Sequence, residues 1–207
     1  MSNPWTLPTP PGKEFKKQSF KELSKISSFV YQVGEYPALR EKSCLVTPSD
    51  ITSPQFQAKL TYLRGCLKKY KTMTGKGRGI AAVQVGIPEQ LLIFSRRSKL
   101  IVMINPKIVK EAKEKYSYPE VCMSANNLIA PVIRSAWVEI EYRDEKGKEK
   151  IWDVKATTKQ GLLENRIVQH EIDHLNGIIN IDRVDARELT FVSDYTFYAN
   201  ARFKKIK

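Results

Sequence analysis

The chain has 207 residues, of which 42% are hydrophobic and 10% aromatic, so it can bury one core of ordinary size and is not globally disordered. Its 35 Lys and Arg against 22 Asp and Glu give a net charge of +13, while the longest apolar stretches, Leu91–Phe94 and Leu100–Ile104, are far too short to span a membrane. No charged start leads into an apolar run, and 3 Cys is an odd count for a disulfide framework; the expectation is a reducing compartment, the cytoplasm, with an organelle as the alternative.

In chain order, residues 1–30 read as an N-terminal extension, with 4 prolines in the first eleven positions and then alternating Lys and Glu. Ser53 and Pro54 read as an N-cap and first helical position, and Phe56, Leu60, Leu63, Leu67 and Tyr70 recur at helical spacing until Gly75. A glycine-rich turn, Gly75-Lys76-Gly77-Arg78-Gly79, leads into Ile80-Ala81-Ala82-Val83-Gln84. Short strands are expected at 91–94 and 100–104, the second stopped by Asn105-Pro106. Trp137–Tyr142 and Glu149–Val154 alternate around a Gly turn and predict a hairpin. A second helix is expected from about Leu162 to Leu175, ended by Asn176-Gly177. Residues 186–207 form an aromatic and basic tail, with Phe191, Tyr195, Phe197 and Tyr198 before Arg202-Phe203-Lys204-Lys205. The order predicts an α+β fold, with mixed and antiparallel sheets packed around a central buried helix.

The charge is uneven. Residues 1–118 carry a net +13 and residues 119–185 a net −3, and Lys59–Arg78 holds 7 bases without an acid. Such a stretch is a solubilising helix face or a surface for a polyanion such as nucleic acid. No finger spacing or RNA-binding aromatic motif accompanies it.

Both histidines of the chain lie in His170-Glu171-Ile172-Asp173-His174. About one random placement in a hundred puts two His four apart, and on a helix that spacing turns both rings to one side, within reach of one metal. Leu163, Ile167, His170 and His174 share a stripe; Val168, Ile172 and Leu175 lie nearly opposite, and Asn165, Gln169 and Asp173 form the polar remainder. A helix apolar on two sides is buried, with Glu171 beside any bound ion. A third ligand must be Cys, Asp or Glu. Cys122 is the first candidate; Cys66 reads as a half-buried helix residue and Cys44 as packing.

Three blocks, Gly77–Gln84, Glu120–Ser124 and Gln169–His174, together resemble the motifs of the peptide deformylases, with likeness extending over about residues 35–185. The resemblance implies a catalytic domain at 31–185 that removes the formyl group from N-formylmethionine on new polypeptides. It implies one divalent metal, Fe²⁺ with Zn²⁺, Ni²⁺ or Co²⁺ as substitutes, held by Cys122, His170 and His174. Glu171 is then the general base, and the Gln84 amide and Met123 backbone N–H are the donors to the developing oxyanion. Gly79 lets a peptide pair like an added strand, and Ile167 and Arg78 flank its methionine side chain. Asp173 reads as a hydrogen-bond partner of the site or as a solvated position.

Two residues depart from the pattern. Val121 stands where the family usually has Gly, and Arg78 where an apolar residue is usual. Two further readings follow: a His-Glu-x-x-His metallopeptidase with a third ligand such as Asp182 or Glu188, and a non-catalytic relative that binds formylated chains or ribosomes.

Overall fold

The computed structural model describes residues 25–97, 99–191 and 202–206. The proline-rich lead-in and Tyr195, Phe197 and Tyr198 lie outside them.

Helix α1 spans Pro54–Thr74. Ser53 Oγ accepts the Phe56 N–H at 3.2 Å, Pro54 fills a position whose N–H has no helical partner, and Gly75 ends the helix at φ 68°. Phe56, Leu60, Leu63, Cys66, Leu67 and Tyr70 form its buried face, so Cys66 is core and not half-exposed. Cys44 departs from its reading as packing: its side chain is exposed, and its backbone is what binds, donating to Pro88 O at 2.8 Å.

Nine strands follow among the described residues: β1 Gly79–Ala81, β2 Leu91–Arg96, β3 Lys99–Glu111, β4 Lys115–Cys122, β5 Ala125–Ser135, β6 Val138–Arg143, β7 Glu149–Asp153, β8 Thr190–Phe191 and β9 Lys204–Lys205. They build two antiparallel sheets, ordered β1-β2-β3-β6-β7 and β8-β5-β4-β9. Strand β2 is buried on both faces. Leu91 and Ile93 join the core under α1, and Leu92 and Phe94 join a second core with Val168, Ile172 and Leu175, which is why the run is continuously apolar.

Strand β3 does not stop at Asn105-Pro106 as the sequence suggests. Asn105 takes φ 52°, which Asn tolerates, and the pairing with β6 shifts between Ile104 and Lys107. A bulge therefore absorbs the proline, and the strand runs on to Glu111. The Asn105 side chain clamps Val46, accepting its N–H at 2.9 Å and donating to its carbonyl at 2.8 Å.

The β4–β5 hairpin is absent from the sequence reading. Pro119 and Pro131 lie opposite each other in its register, and proline argues against a strand. Met123-Ser124 make its turn, and Cys122 closes β4 at a register shift. Strands β8 and β9, from the C-terminal residues, pair at its two outer edges.

Helix α2 spans Lys159–Leu175, three residues longer at its start than expected, because Thr158 caps it by accepting the Gly161 N–H at 3.0 Å. It packs on β1 and β2 of the first sheet and meets β5 of the second. Its polar side is buried too, contrary to a solvated Asp173. Asn165 accepts the Val138 N–H at 3.0 Å and donates to Val154 O at 2.6 Å, and Gln169 donates to Ser135 O at 2.9 Å. Each polar group is satisfied, which is what burying it requires. No helix among the described residues is long and apolar enough to cross a membrane.

Candidate metal centre

Strand β4 delivers Cys122 and helix α2 delivers His170 and His174 to one place. One ligand atom from each lies within 4.8 Å of the other two. The Cys122 Sγ sits 3.1 Å from His174 Nε2, and the two imidazole rings are 5.0 Å apart at 77°. The hairpin turn brings the Ser124 N–H to 3.3 Å from the sulfur, and the Gln84 Nε2 lies 3.7 Å from it. Both donors point at the sulfur that stands beside the two imidazoles. The donor set fits a divalent ion: a thiolate and two imidazoles suit iron or zinc, and three protein ligands leave a position open for catalysis.

The rings are held from behind. His170 Nδ1 lies 3.0 Å from Glu120 Oε2, which turns its Nε2 toward the ligand cluster. Glu120 also accepts from Arg134 Nε at 2.7 Å and Nη2 at 3.0 Å, and Arg166 Nε lies 2.6 Å from its Oε1. Burial would raise the Glu120 carboxyl, yet Arg134 and Arg166 hold it well below the usual carboxylate range. Arg134 Nη1 donates onward to Asp173 Oδ2 at 2.8 Å, and Arg183 closes the far side of Asp173. Asp173 is thus the last link of a buried chain His170–Glu120–Arg134–Asp173. The role of Arg134 has no local sequence signal, because its partners lie 14 and 39 residues away. Burial, with His170 and Arg134 nearby, keeps His174 well below the ordinary imidazole value, so its ring is neutral and able to ligate.

Glu171 sits on the same turn and is buried, and its Oε2 has no hydrogen-bond partner among the described residues. Burial pushes its carboxyl up to about 7, against the opposing charges of His170 and Arg134. Gly79 makes room for it, since a Cβ there would stand 2.5 Å from Glu171 Oε1. Gln84 is almost wholly buried. Its Oε1 accepts the Ala81 N–H at 2.9 Å, and its Nε2 donates to Ser124 Oγ at 3.1 Å.

A cavity of about 390 Å³ opens in front of these groups. His170, Glu171, Gln84, Met123 and Gly79 line it together with the apolar Ile167, Leu163, Tyr118 and Val121 and the basic Lys76 and Arg78. Val121 is not at positive φ, so its backbone is unstrained and only its side chain differs from a glycine. Arg78 is half-buried, and desolvation lowers its guanidinium while Glu164 and Tyr118 oppose the change. The third ligands that a metallopeptidase would use are elsewhere: Asp182 is paired with Arg40 and accepts the Ile179 N–H at 2.7 Å, and Glu188 lies on an exposed turn.

Comparison with known proteins bears on the family of the chain. Residues 30–190 match the family model described as polypeptide deformylase. A peptide deformylase of Rhizobium meliloti (strain 1021) is 40% identical over 113 residues, 52% of this chain and 62% of that protein. One from Treponema pallidum (strain Nichols) is 33% identical over 145 residues, 70% of this chain and 84% of that protein. The chain thus spans about three fifths of the first of these relatives and more of the second. Among solved structures, the Met-Ala-Ser-bound class I type b peptide deformylase from Acinetobacter baumannii is 26% identical with a TM-score of 0.66, over 75% of this chain and 96% of that one. The Plasmodium falciparum peptide deformylase in complex with an inhibitor gives 27% and 0.64, over 77% and 90%. The mixed α+β architecture with antiparallel sheets is shared with these structures, and the chain belongs to the peptide deformylase family.

Proposed function

We propose that the protein hydrolyses the formamide of N-formylmethionine at the start of newly made polypeptides, with residues 31–185 as the catalytic unit built around α2. The observation that carries this reading is the cluster of Cys122, His170 and His174 beside Glu171, whose Oε2 has no partner among the described residues, with His170 and Glu171 lining a cavity sized for a side chain and a peptide end. A divalent ion held by the three ligands, Fe²⁺ in this proposal with Zn²⁺, Ni²⁺ or Co²⁺ able to substitute, supplies Lewis acidity that brings the pKa of water toward neutrality.

Glu171 Oε2 takes a proton from the attacking water as its oxygen bonds to the formyl carbon. Negative charge then gathers on the formyl oxygen, where Gln84 Nε2 and the Met123 backbone N–H stand as donors. Glu171 returns the proton to the amine nitrogen as the C–N bond breaks, leaving formate and a free N-terminus. A carboxylate raised to about 7 is matched to both transfers near neutral pH. The outer edge of β1 at Gly79 receives the peptide backbone, and Ile167 and the stem of Arg78 flank the methionine side chain. That a related deformylase was solved with Met-Ala-Ser bound supports a peptide of this kind as the ligand. The exposed Lys68, Lys69 and Lys71 of α1 are the surface we propose for ribosomal RNA, and the cytoplasm the compartment, since both follow from substrate and charge.

The test is formate release from formyl-Met-Ala-Ser by protein purified without oxygen and loaded with Fe²⁺ or Ni²⁺. Steady release that a chelator stops, and that metal restores, is the expected result. Folded, metal-loaded protein that releases no formate overturns the reading and leaves the non-catalytic binder.

A further inference from the structure

Arg78 is a cation set into the cavity lining with no ion-pair partner among the described residues. Its side chain makes no hydrogen bond or ion pair with any described residue. The carboxylate that acts on it most strongly, Glu164, is already engaged: its Oε2 takes Arg96 Nε at 3.1 Å and its Oε1 takes Gln160 Nε2 at 2.7 Å. The backbone at Arg78 is fixed, because its carbonyl accepts the Ser95 N–H at 2.6 Å. The side chain therefore starts from a defined point on the strand edge and cannot leave by backbone movement without losing that bond.

The rest of the lining sharpens the imbalance. Lys76, Arg78 and Arg166 are its bases, and Glu120 and Glu171 its acids. Glu120 is saturated by Arg134, Arg166 and His170, and Glu171 is committed to the reacting end beside Gly79. Among the described residues, no acid in the lining is left to meet Arg78. A half-desolvated guanidinium with five donors is matched to a carboxylate, which it can bind through two parallel hydrogen bonds.

We infer that Arg78 makes this site selective for formylmethionyl peptides that carry an acidic side chain one or two residues after the methionine. The inference rests on the proposed deformylation and names its substrate class. With the formyl end beside Gly79, a peptide paired with β1 passes the Lys76–Arg78 rim on its way out. One or two residues of extended chain cover about 3–7 Å, which brings the second or third side chain level with Arg78.

The test compares C-terminally amidated formyl-Met-Ala-Ser, formyl-Met-Glu-Ser and formyl-Met-Ala-Glu, together with formyl-Met-Ala-Ser bearing its free carboxylate. Wild-type protein, Arg78→Ile and Arg78→Lys are measured with each. The deformylated versions of the same peptides are titrated calorimetrically into the metal-loaded protein, which reads selectivity without turnover. The expected result is a kcat/KM and an affinity about tenfold higher for one or both acidic amides, shrinking as salt is added, levelled in Arg78→Ile and partly kept in Arg78→Lys. Equal values for acidic and neutral amides in wild type, or a preference that survives Arg78→Ile, overturns the inference. So does an Arg78-dependent gain seen only with the free-carboxylate peptide, because the recognised group is then the chain end. If no peptide releases formate, the deformylation reading fails by itself, and the calorimetric comparison still decides whether Arg78 selects acidic peptides.

Discussion

Glu171 and Gly79 are one device seen from two sides. The carboxylate is useful because it is dry and close to the ligand cluster, and it can occupy that place only because residue 79 has no Cβ. Glu171→Gln keeps the shape and removes the proposed base. Retained metal content with a rate about 10²–10⁴-fold lower is expected, and a full rate from the metal-loaded variant removes Glu171 from its role. Gly79→Ala acts on the same group by direct contact. Its methyl would stand 2.5 Å from Glu171 Oε1, so the carboxylate must move while Cys122, His170 and His174 are untouched. The prediction is normal metal stoichiometry with a large loss in kcat, checked by metal analysis and formate release on the same preparation. An unchanged kcat shows that the carboxylate has room to spare.

Between elements, β4, β5 and α2 are locked by buried charges, and this lock orients His170 of the proposed metal site. Arg134 bridges Glu120 and Asp173, both buried, so its removal strands two carboxylates. Arg134→Met should destabilise the fold by about 3–5 kcal/mol in denaturant titration. Glu120→Gln keeps most of the shape but weakens the hold on His170 Nδ1. Its expected signature is a metal affinity lower by about 10–100-fold in competition with a chelator, with a smaller change in folding stability.

This lock also marks where sequence reading ends. The two helices were legible because Ser53, Gly75 and Asn176-Gly177 act within a few residues, and β2 because a strand buried on both faces is apolar throughout. The His pair was legible because helical spacing alone puts the rings together. Glu120, Arg134 and Asp173 meet only when a hairpin containing two facing prolines forms against α2, and no local pattern encodes that meeting. Asn105-Pro106 looked like a stop for the same reason: whether such a pair ends a strand or bulges it depends on Val46, which is 59 residues away.

For the whole molecule, the C-terminal residues close the structure on the wall of the cavity. Lys204–Lys205 adds a short strand beside Tyr116 and Ser117, and Ile206 N–H donates to Lys115 O at 3.0 Å. This pairing sets the Phe203 ring 4.5 Å from that of Tyr118 and 6.2 Å from that of Tyr116. Tyr118 lines the cavity, and on it the Arg166 guanidinium carbon lies 5.4 Å from the ring centroid. The Tyr118 side of the cavity is thus a stack whose outer layer comes from Phe203, while the proposed metal ligands are held by a separate network. The two should fail separately. Phe203→Ala removes an aromatic contact worth about 0.5–1.5 kcal/mol, so KM should rise by about 2–10-fold with kcat and metal content little changed. Phe203→Tyr, which keeps the ring, should restore it. If Phe203→Ala instead lowers kcat and metal content together, the end of the chain supports the whole fold and not the wall; if KM does not move, Tyr118 holds its place without Phe203.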